Sequence, residues 1–251
     1  MGTLIGSTFR NALALQTNGS TQYAYKDNPS WKADTSGAIS FWTTIPSLLG
    51  ANGSKVIVGY GANDGANDAM WSFRQVRNSG IHPTNNYFAV LVRNPHAGTV
   101  NYLAATTTPL AAGTRYHVVV SSNGSTASIW INGVAQTITI LVGSNIGTWF
   151  GDIAGADHRF TVGCNWIANA ALNFYDGKID EINIFSAAIT SGQISALYNA
   201  GNPQNPHAIG FGAEWKTWLR CGDSRDDATT MYDERGTDNF TLVGSPPYVA
   251  P

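Results

Sequence analysis

The chain carries 16 acidic residues, yet Glu181, Glu214 and Glu234 are its only glutamates. Cleavage of a glycosidic bond needs two carboxyl groups facing one another across the bond, one to protonate the leaving oxygen and one to attack or to activate water. Asp180 and Glu181 are adjacent in the extended run KIDEINIF, so strand alternation sends them to opposite faces. Glu214 and Glu234 have no acidic partner at strand spacing, and the pattern argues against an enzyme of this type. A nucleophilic triad needs a His beside Ser or Cys, but His82, His96, His117, His158 and His207 are scattered singly. His117 alternates with Tyr116 and Val118 and reads as a hydrogen-bonded sheet residue. Neither H-x-x-x-H nor C-x-x-C occurs. Cys164 and Cys221 read as two reduced structural thiols, with a single bridge as the alternative.

Other groups suit binding better than catalysis. The duplicated GAND-GAND at 61–68 offers Asp64, Asn67 and Asp68, an oxygen-rich loop that suits a hard cation, against the plainer reading of a glycine-rich turn. Trp149, Asp152 and Asp157, with Trp166 beyond them, could lay indole faces on sugar rings while the acids reach hydroxyls. The same aromatics also mark protein interfaces, and that reading is preferred. Asp180 shares a strand face with Ile182 and Ile184, so its carboxylate must accept hydrogen bonds and is expected to pin the fold.

The elements that must position these groups are short strands. Alternating runs bounded by Gly, Pro, Asn or Asp appear at 11–16, 22–25, 37–44, 55–60, 69–77, 87–93 and 99–105. Asn18-Gly19 between the first two predicts a hairpin. Asn123-Gly124 and Asn132-Gly133 predict a three-strand meander over 114–140, with Ala127, Ile129 and Ile131 on one face and Ser128 and Trp130 on the other. A further strand over 158–164 precedes the run containing Asp180. Thr190 and Gln193 then have capping-box spacing, and Ile194, Leu197 and Tyr198 recur at helical spacing before Gly201 and Pro203. About a dozen antiparallel strands, one short helix and no parallel crossover imply an all-β, two-sheet antiparallel jelly-roll sandwich.

Composition removes several partners. A net charge of −2 without basic runs gives no electrostatic footprint for nucleic acid or an anionic membrane. No run of eighteen apolar residues occurs, and MGTLIGSTFRNALAL lacks the pattern of a signal peptide, so synthesis in the cytoplasm is expected.

Three stretches, in this order, resemble concanavalin A-like jelly rolls of the laminin G-like and pentraxin-like kind. They are NALALQTNGSTQYAY with GAISFWTTI, the hairpin YHVVV…WING at 116–133, and GKIDEINIFSAAITSGQISALYNAG at 177–201. The resemblance implies a jelly roll over 1–201. It also implies calcium at Asp64, Asn67 and Asp68, since such domains often bind it through rim-loop oxygens. The E-x-D-x-x-E pattern of glucan-cleaving members is absent.

The segment 202–251 looks like the opening stretch of such modules placed at the C-terminus, W-x-x-W-x-R-x-G-D…D-x-x-G-x-x-N-x-T. This arrangement resembles structural proteins of tailed bacteriophages. It implies an extension that completes the sheets or reaches a neighbouring subunit, with Trp215, Trp218, Arg220, Tyr232 and Phe240 as an assembly arm. The expectation is a non-enzymatic virion structural protein, a capsid decoration protein held by contacts with virion or capsid proteins and forming a homo-oligomer such as a trimer. The alternative is a carbohydrate-binding module of a tail-associated or host-recognition protein, with a surface glycan as partner.

Overall fold

Where hydrophobic and polar residues alternate with period two, one face of each strand must be buried against another layer. The computed structural model, which describes residues 12–65, 68–77, 84–94, 99–236 and 238–251, meets that demand with two sheets. In chain order the strands are β1 (Ala14–Gln16), β2 (Tyr23–Asp27), β3 (Gly37–Thr44), β4 (Ser54–Ala62), β5 (Met70–Val76), β6 (Tyr87–Arg93) and β7 (Tyr102–Thr106). There follow β8 (Arg115–Ser122), β9 (Ala127–Ile131), β10 (Val134–Ala135), β11 (Ile138–Val142), β12 (His158–Val162), β13 (Asn165–Ile167) and β14 (Ala170–Leu172). Strand β15 (Lys178–Phe185) leads into helix α1 (Ser191–Tyr198), and β16 (Trp215–Leu219), β17 (Thr230–Met231), β18 (Phe240–Val243) and β19 (Tyr248–Val249) complete the chain.

The eight-stranded sheet runs β10-β9-β8-β3-β15-β1-β19, with β16 on β15, and the nine-stranded sheet runs β11-β7-β6-β5-β4-β12-β2-β18-β17. Every ladder pair is antiparallel, giving an all-β jelly-roll sandwich with one short helix. Between the sheets lie Trp31, Phe41, Tyr60, Trp71, Phe73, Phe88, Phe150 and Phe160 with Ile39, Ile179, Ile182 and Ile184, all buried. Each such side chain contributes roughly 1.5–3 kcal/mol when removed from water.

Several expectations are corrected. Asn18-Gly19 is a turn, with Asn18 Oδ1 accepting from the backbone of Ser20, Thr21 and Gln22, but it joins no hairpin. Strand β1 pairs with β15 and β19, while β2 pairs with β12 and β18, so the turn carries the chain from one sheet to the other. The meander holds through β8, β9 and the short β10, after which the third run crosses over and β11 pairs with β7.

The largest correction concerns Asp180. Asp180 opposes Trp42 and Asn183 opposes Ser40, so two residues of β15 face one of β3, a β-bulge with Glu181 at φ 48°. The bulge lies where β15 exchanges β1 for β16 as its neighbour. It leaves Ile179, Ile182 and Ile184 in the core and turns Asp180 and Glu181 together to the outer face.

That outer face is sealed. Helix α1 starts with the expected capping box: Thr190 Oγ1 accepts from Gln193 N at 3.3 Å and Thr190 N donates to Gln193 Oε1 at 2.8 Å. It stops at Asn199, which takes the left-handed conformation (φ 42°), two residues before the expected glycine. Ile194 and Leu197 pack on Ala38, Val119, Phe185, Trp215 and Trp218, and Ile209 and Phe211 add to the cover. Residues beyond 201 supply strands to both sheets: β16 pairs with β15, β18 with β2 and β19 with β1. The expected assembly arm is therefore largely internal, because Trp215, Trp218 and Phe240 are 1–3% exposed.

Candidate functional site

The outer face of the nine-stranded sheet carries a groove of about 180 Å³ at its β5–β6–β7–β11 end. Alternation builds it. In β5, Trp71 and Phe73 enter the core, so Ser72, Arg74 and Val76 face outward. The walls are Val76, Leu91, Leu103 and Leu141, half-buried, and the turn Asn52-Gly53-Ser54 closes one side together with Arg77.

Arg74 is the chemical centre of this groove. It is 6% exposed, and it donates from Nε to Ser72 Oγ at 3.1 Å, from Nη2 to the same hydroxyl, and from Nη1 to Ser54 Oγ at 3.3 Å. A guanidinium has five N–H donors, and its strongest partners are ionised acceptors. Every Asp and Glu of the chain lies among the described residues, and none pairs with Arg74. Burial, and next the like charge of Arg93, lower its pKa to about 10, so it remains a cation at neutral pH. Arg93 itself is neutralised by Asp68 at 2.8 Å.

The residues singled out from sequence do not converge on this groove. Trp149 is 1% exposed and packs edge-on against Trp71 at 5.4 Å and beside Phe150 at 4.7 Å, so its ring is core and offers no sugar platform. Asp152 Oδ2 accepts from Trp149 N at 2.8 Å and Asp157 Oδ1 from Asn28 Nδ2 at 3.0 Å, so both tie turns. Trp166 lies on the β13–β14 hairpin, which crosses the other end of the same outer face. It is 7% exposed because Arg159 covers it at 4.0 Å; this guanidinium also covers Tyr25 at 3.9 Å and holds Asp27 with bonds of 2.6 and 2.8 Å. The covered indole donates to Asn63 Oδ1 at 3.0 Å.

The expected cation gains no ligand set from the residues described. Asp64 Oδ2 accepts from Ala156 N at 3.2 Å, Asp68 is held by Arg93, and Asn67 lies outside the described residues. No group of three His, Cys, Asp or Glu able to hold a metal ion occurs among the described residues. Cys164 and Cys221 are free and buried, and burial pushes the Cys164 thiol up to about 12.

The eight-stranded sheet brings together groups that sequence reasoning kept apart. Asp180 pairs with Arg115 at 3.0 Å, and the Arg115 guanidinium lies over the Trp42 ring at 4.6 Å. Glu181 Oε2 accepts from Trp218 Nε1 at 2.7 Å, with Arg220 at 3.9 Å. Burial, then the charge of Asp180, raises the Glu181 pKa well above the ordinary carboxyl value. Nearby, Ser40 Oγ and His117 Nε2 are 2.9 Å apart, the separation of a nucleophile and its base. Yet both are 1% exposed, Tyr198 stacks on the imidazole with Trp42 tilted beside it, and burial lowers its pKa to about 3. Tyr198 of α1 covers the imidazole, while Arg115 lies against Asp180 and Trp218 against Glu181, acids that are 2% and 3% exposed. The other arm residues also serve the fold: Trp215 Nε1 donates to Asn183 Oδ1 at 3.1 Å, and half-buried Tyr232 carries Arg225 5.9 Å from its ring centre.

The signal for Arg74 was present in AMWSFRQVR, where it alternates out of a core-forming strand. What single-sequence reading could not supply was the position of every carboxylate.

The family described as the concanavalin A-like lectin/glucanases superfamily matches residues 18–195. No curated protein matches the chain. Among solved structures, a putative carbohydrate binding protein from Bacteroides ovatus aligns over 100% of this chain with TM-score 0.64 and 17% identity. This chain spans 65% of that protein's length. The CBM40 of the Ruminococcus gnavus IT-sialidase aligns over 74% of this chain and 96% of its own, with TM-score 0.56 and 14% identity. A heptameric SAP-like pentraxin from Limulus polyphemus aligns over 94% of this chain and 96% of its own, with TM-score 0.58 and 11% identity.

Proposed function

The chain belongs to the concanavalin A-like lectin/glucanase superfamily, and from that premise we propose that it is a non-catalytic carbohydrate-binding module acting through the outer face of its nine-stranded sheet. The observation that carries the reading is the groove at Arg74: an apolar-walled recess with a buried donor group, on a face that α1 does not cover. Ligand sites combine apolar walls with a few placed polar groups in this way. Two of the structures alike in fold are described as a putative carbohydrate binding protein and a CBM40, and this likeness supports the glycan alternative better than the virion-decoration reading. A non-enzymatic role draws on the sealing of Asp180, Glu181 and His117, each at most 3% exposed.

The decoration reading drew on a resemblance to structural proteins of tailed bacteriophages and on a C-terminal arm, of which Trp215, Trp218 and Phe240 are buried in their own fold. Adjacency of its gene to a major capsid gene would favour decoration, and adjacency to tail genes a tail-associated glycan-binding role. The direct test is a glycan array with the wild type, Leu91→Asp and Leu103→Asp, and Ser195→Ala on α1 as control. The groove variants are expected to lose about tenfold or more in affinity, with the control unchanged. Absence of any glycan binding by the folded wild type, or binding indifferent to the groove variants, contradicts the proposal.

A further inference from the structure

We infer that the groove at Arg74 selects acidic glycans, recognising a carboxylate or sulfate group through the Arg74 guanidinium while Leu91, Leu103 and Leu141 hold the apolar part of the ligand. This rests on the glycan-binding reading of the same groove and adds the ligand's charge to it.

The argument starts from the cost of burying a cation. A charge withdrawn from water is ordinarily paired, and a buried arginine usually finds a carboxylate. Among the described residues, arginines paired with acids show the rule, as in Arg115 with Asp180, Arg159 with Asp27 and Arg93 with Asp68. Arg74 is more buried than these as a side chain in its sheet, yet it meets two serine hydroxyls and, as its charged neighbour, another arginine. The hydroxyls hold the guanidinium in place without neutralising it. At least two of its five N–H groups are unspent, and Arg74 lines the groove. Arg77 lines the same groove and adds a second guanidinium to its field. A planar guanidinium with paired donors matches the two oxygens of a carboxylate or sulfate, and the bond strengthens where water is excluded. The walls are apolar, so a bare inorganic anion would leave them in contact with water, and a sugar carrying the anionic group covers both.

The test is titration calorimetry of the intact protein against uronate- or sialate-bearing oligosaccharides and sulfated oligosaccharides, each beside its carboxyl-reduced or desulfated counterpart. Acidic ligands are expected to bind at least about tenfold more tightly than their neutral counterparts. The carboxylate and sulfate arms identify which group is read. Arg74→Gln is expected to abolish the difference and Arg74→Lys to restore part of it, with melting temperatures showing that each variant is folded. If the glutamine variant does not fold, the ligand-side comparison on the wild type decides alone. Equal binding of neutral and acidic ligands overturns this inference and leaves the glycan-binding reading standing. No binding of any oligosaccharide overturns both.

Discussion

On the outer face of the eight-stranded sheet the buried carboxylate of Asp180 meets Arg115 at 3.0 Å, whereas on the outer face of the nine-stranded sheet the buried guanidinium of Arg74 meets only hydroxyls and a like charge. The first face is closed by a helix and a layer of tryptophans, and its charges have partners within the chain. The second carries a groove, and its charge has none. The difference separates groups that hold the fold from groups available to a ligand, and it reverses the reading from residue type, which looked for binding at the tryptophans.

The contrast can be broken or sharpened by measuring the stability of single variants. Asp180→Ala strands Arg115 against Trp42 and is expected to cost about 3 kcal/mol in urea unfolding. A cost below about 1 kcal/mol would place Asp180 with the solvent-screened pairs and remove one side of the comparison. Leu197→Ala opens a cavity beneath α1 and should cost about 2.5 kcal/mol, again by urea unfolding. A neutral result there would mean that the helix does not seal the face.

A pH series addresses Glu181. Above the ordinary glutamate value the unfolded chain has released this proton while the folded chain retains it, so stability falls as pH rises until the folded carboxyl ionises. Glu181→Gln is expected to remove that decline, and an unchanged pH profile of the melting temperature would refute the assignment. Thr190→Ala, which deletes the helix cap, should cost about 1 kcal/mol. At the small end, Arg74→Met replaces an unpaired buried charge with an apolar side chain and is expected to change stability by less than about 0.5 kcal/mol or to raise it. A loss of several kcal/mol would show that Arg74 is a structural residue after all.

What could be read in advance divides by the range of the interaction. The α1 cap was legible because Thr190 and Gln193 make it within four residues. The alternation of β5 was legible too, and with it the face of Arg74. The bulge in β15 was not: a glutamate at positive φ has no local signal, and without it Asp180 and Glu181 were assigned to opposite sides. Asn18-Gly19 announced a turn, but which sheets a turn joins depends on strands far along the chain. Trp149 and Trp166 were legible as large aromatics in loops; their burial under Trp71 and Arg159 is a property of the folded chain alone.

The most direct test of the whole account is to map the binding surface by amide chemical shifts, titrating the protein with an oligosaccharide that an array has identified. The account predicts perturbations confined to the groove, at Ser54, Ser72, Arg74, Leu91, Leu103 and Leu141, with the amides of α1 and β16 unmoved. Perturbations centred on α1, Trp215 and Trp218 instead would contradict it.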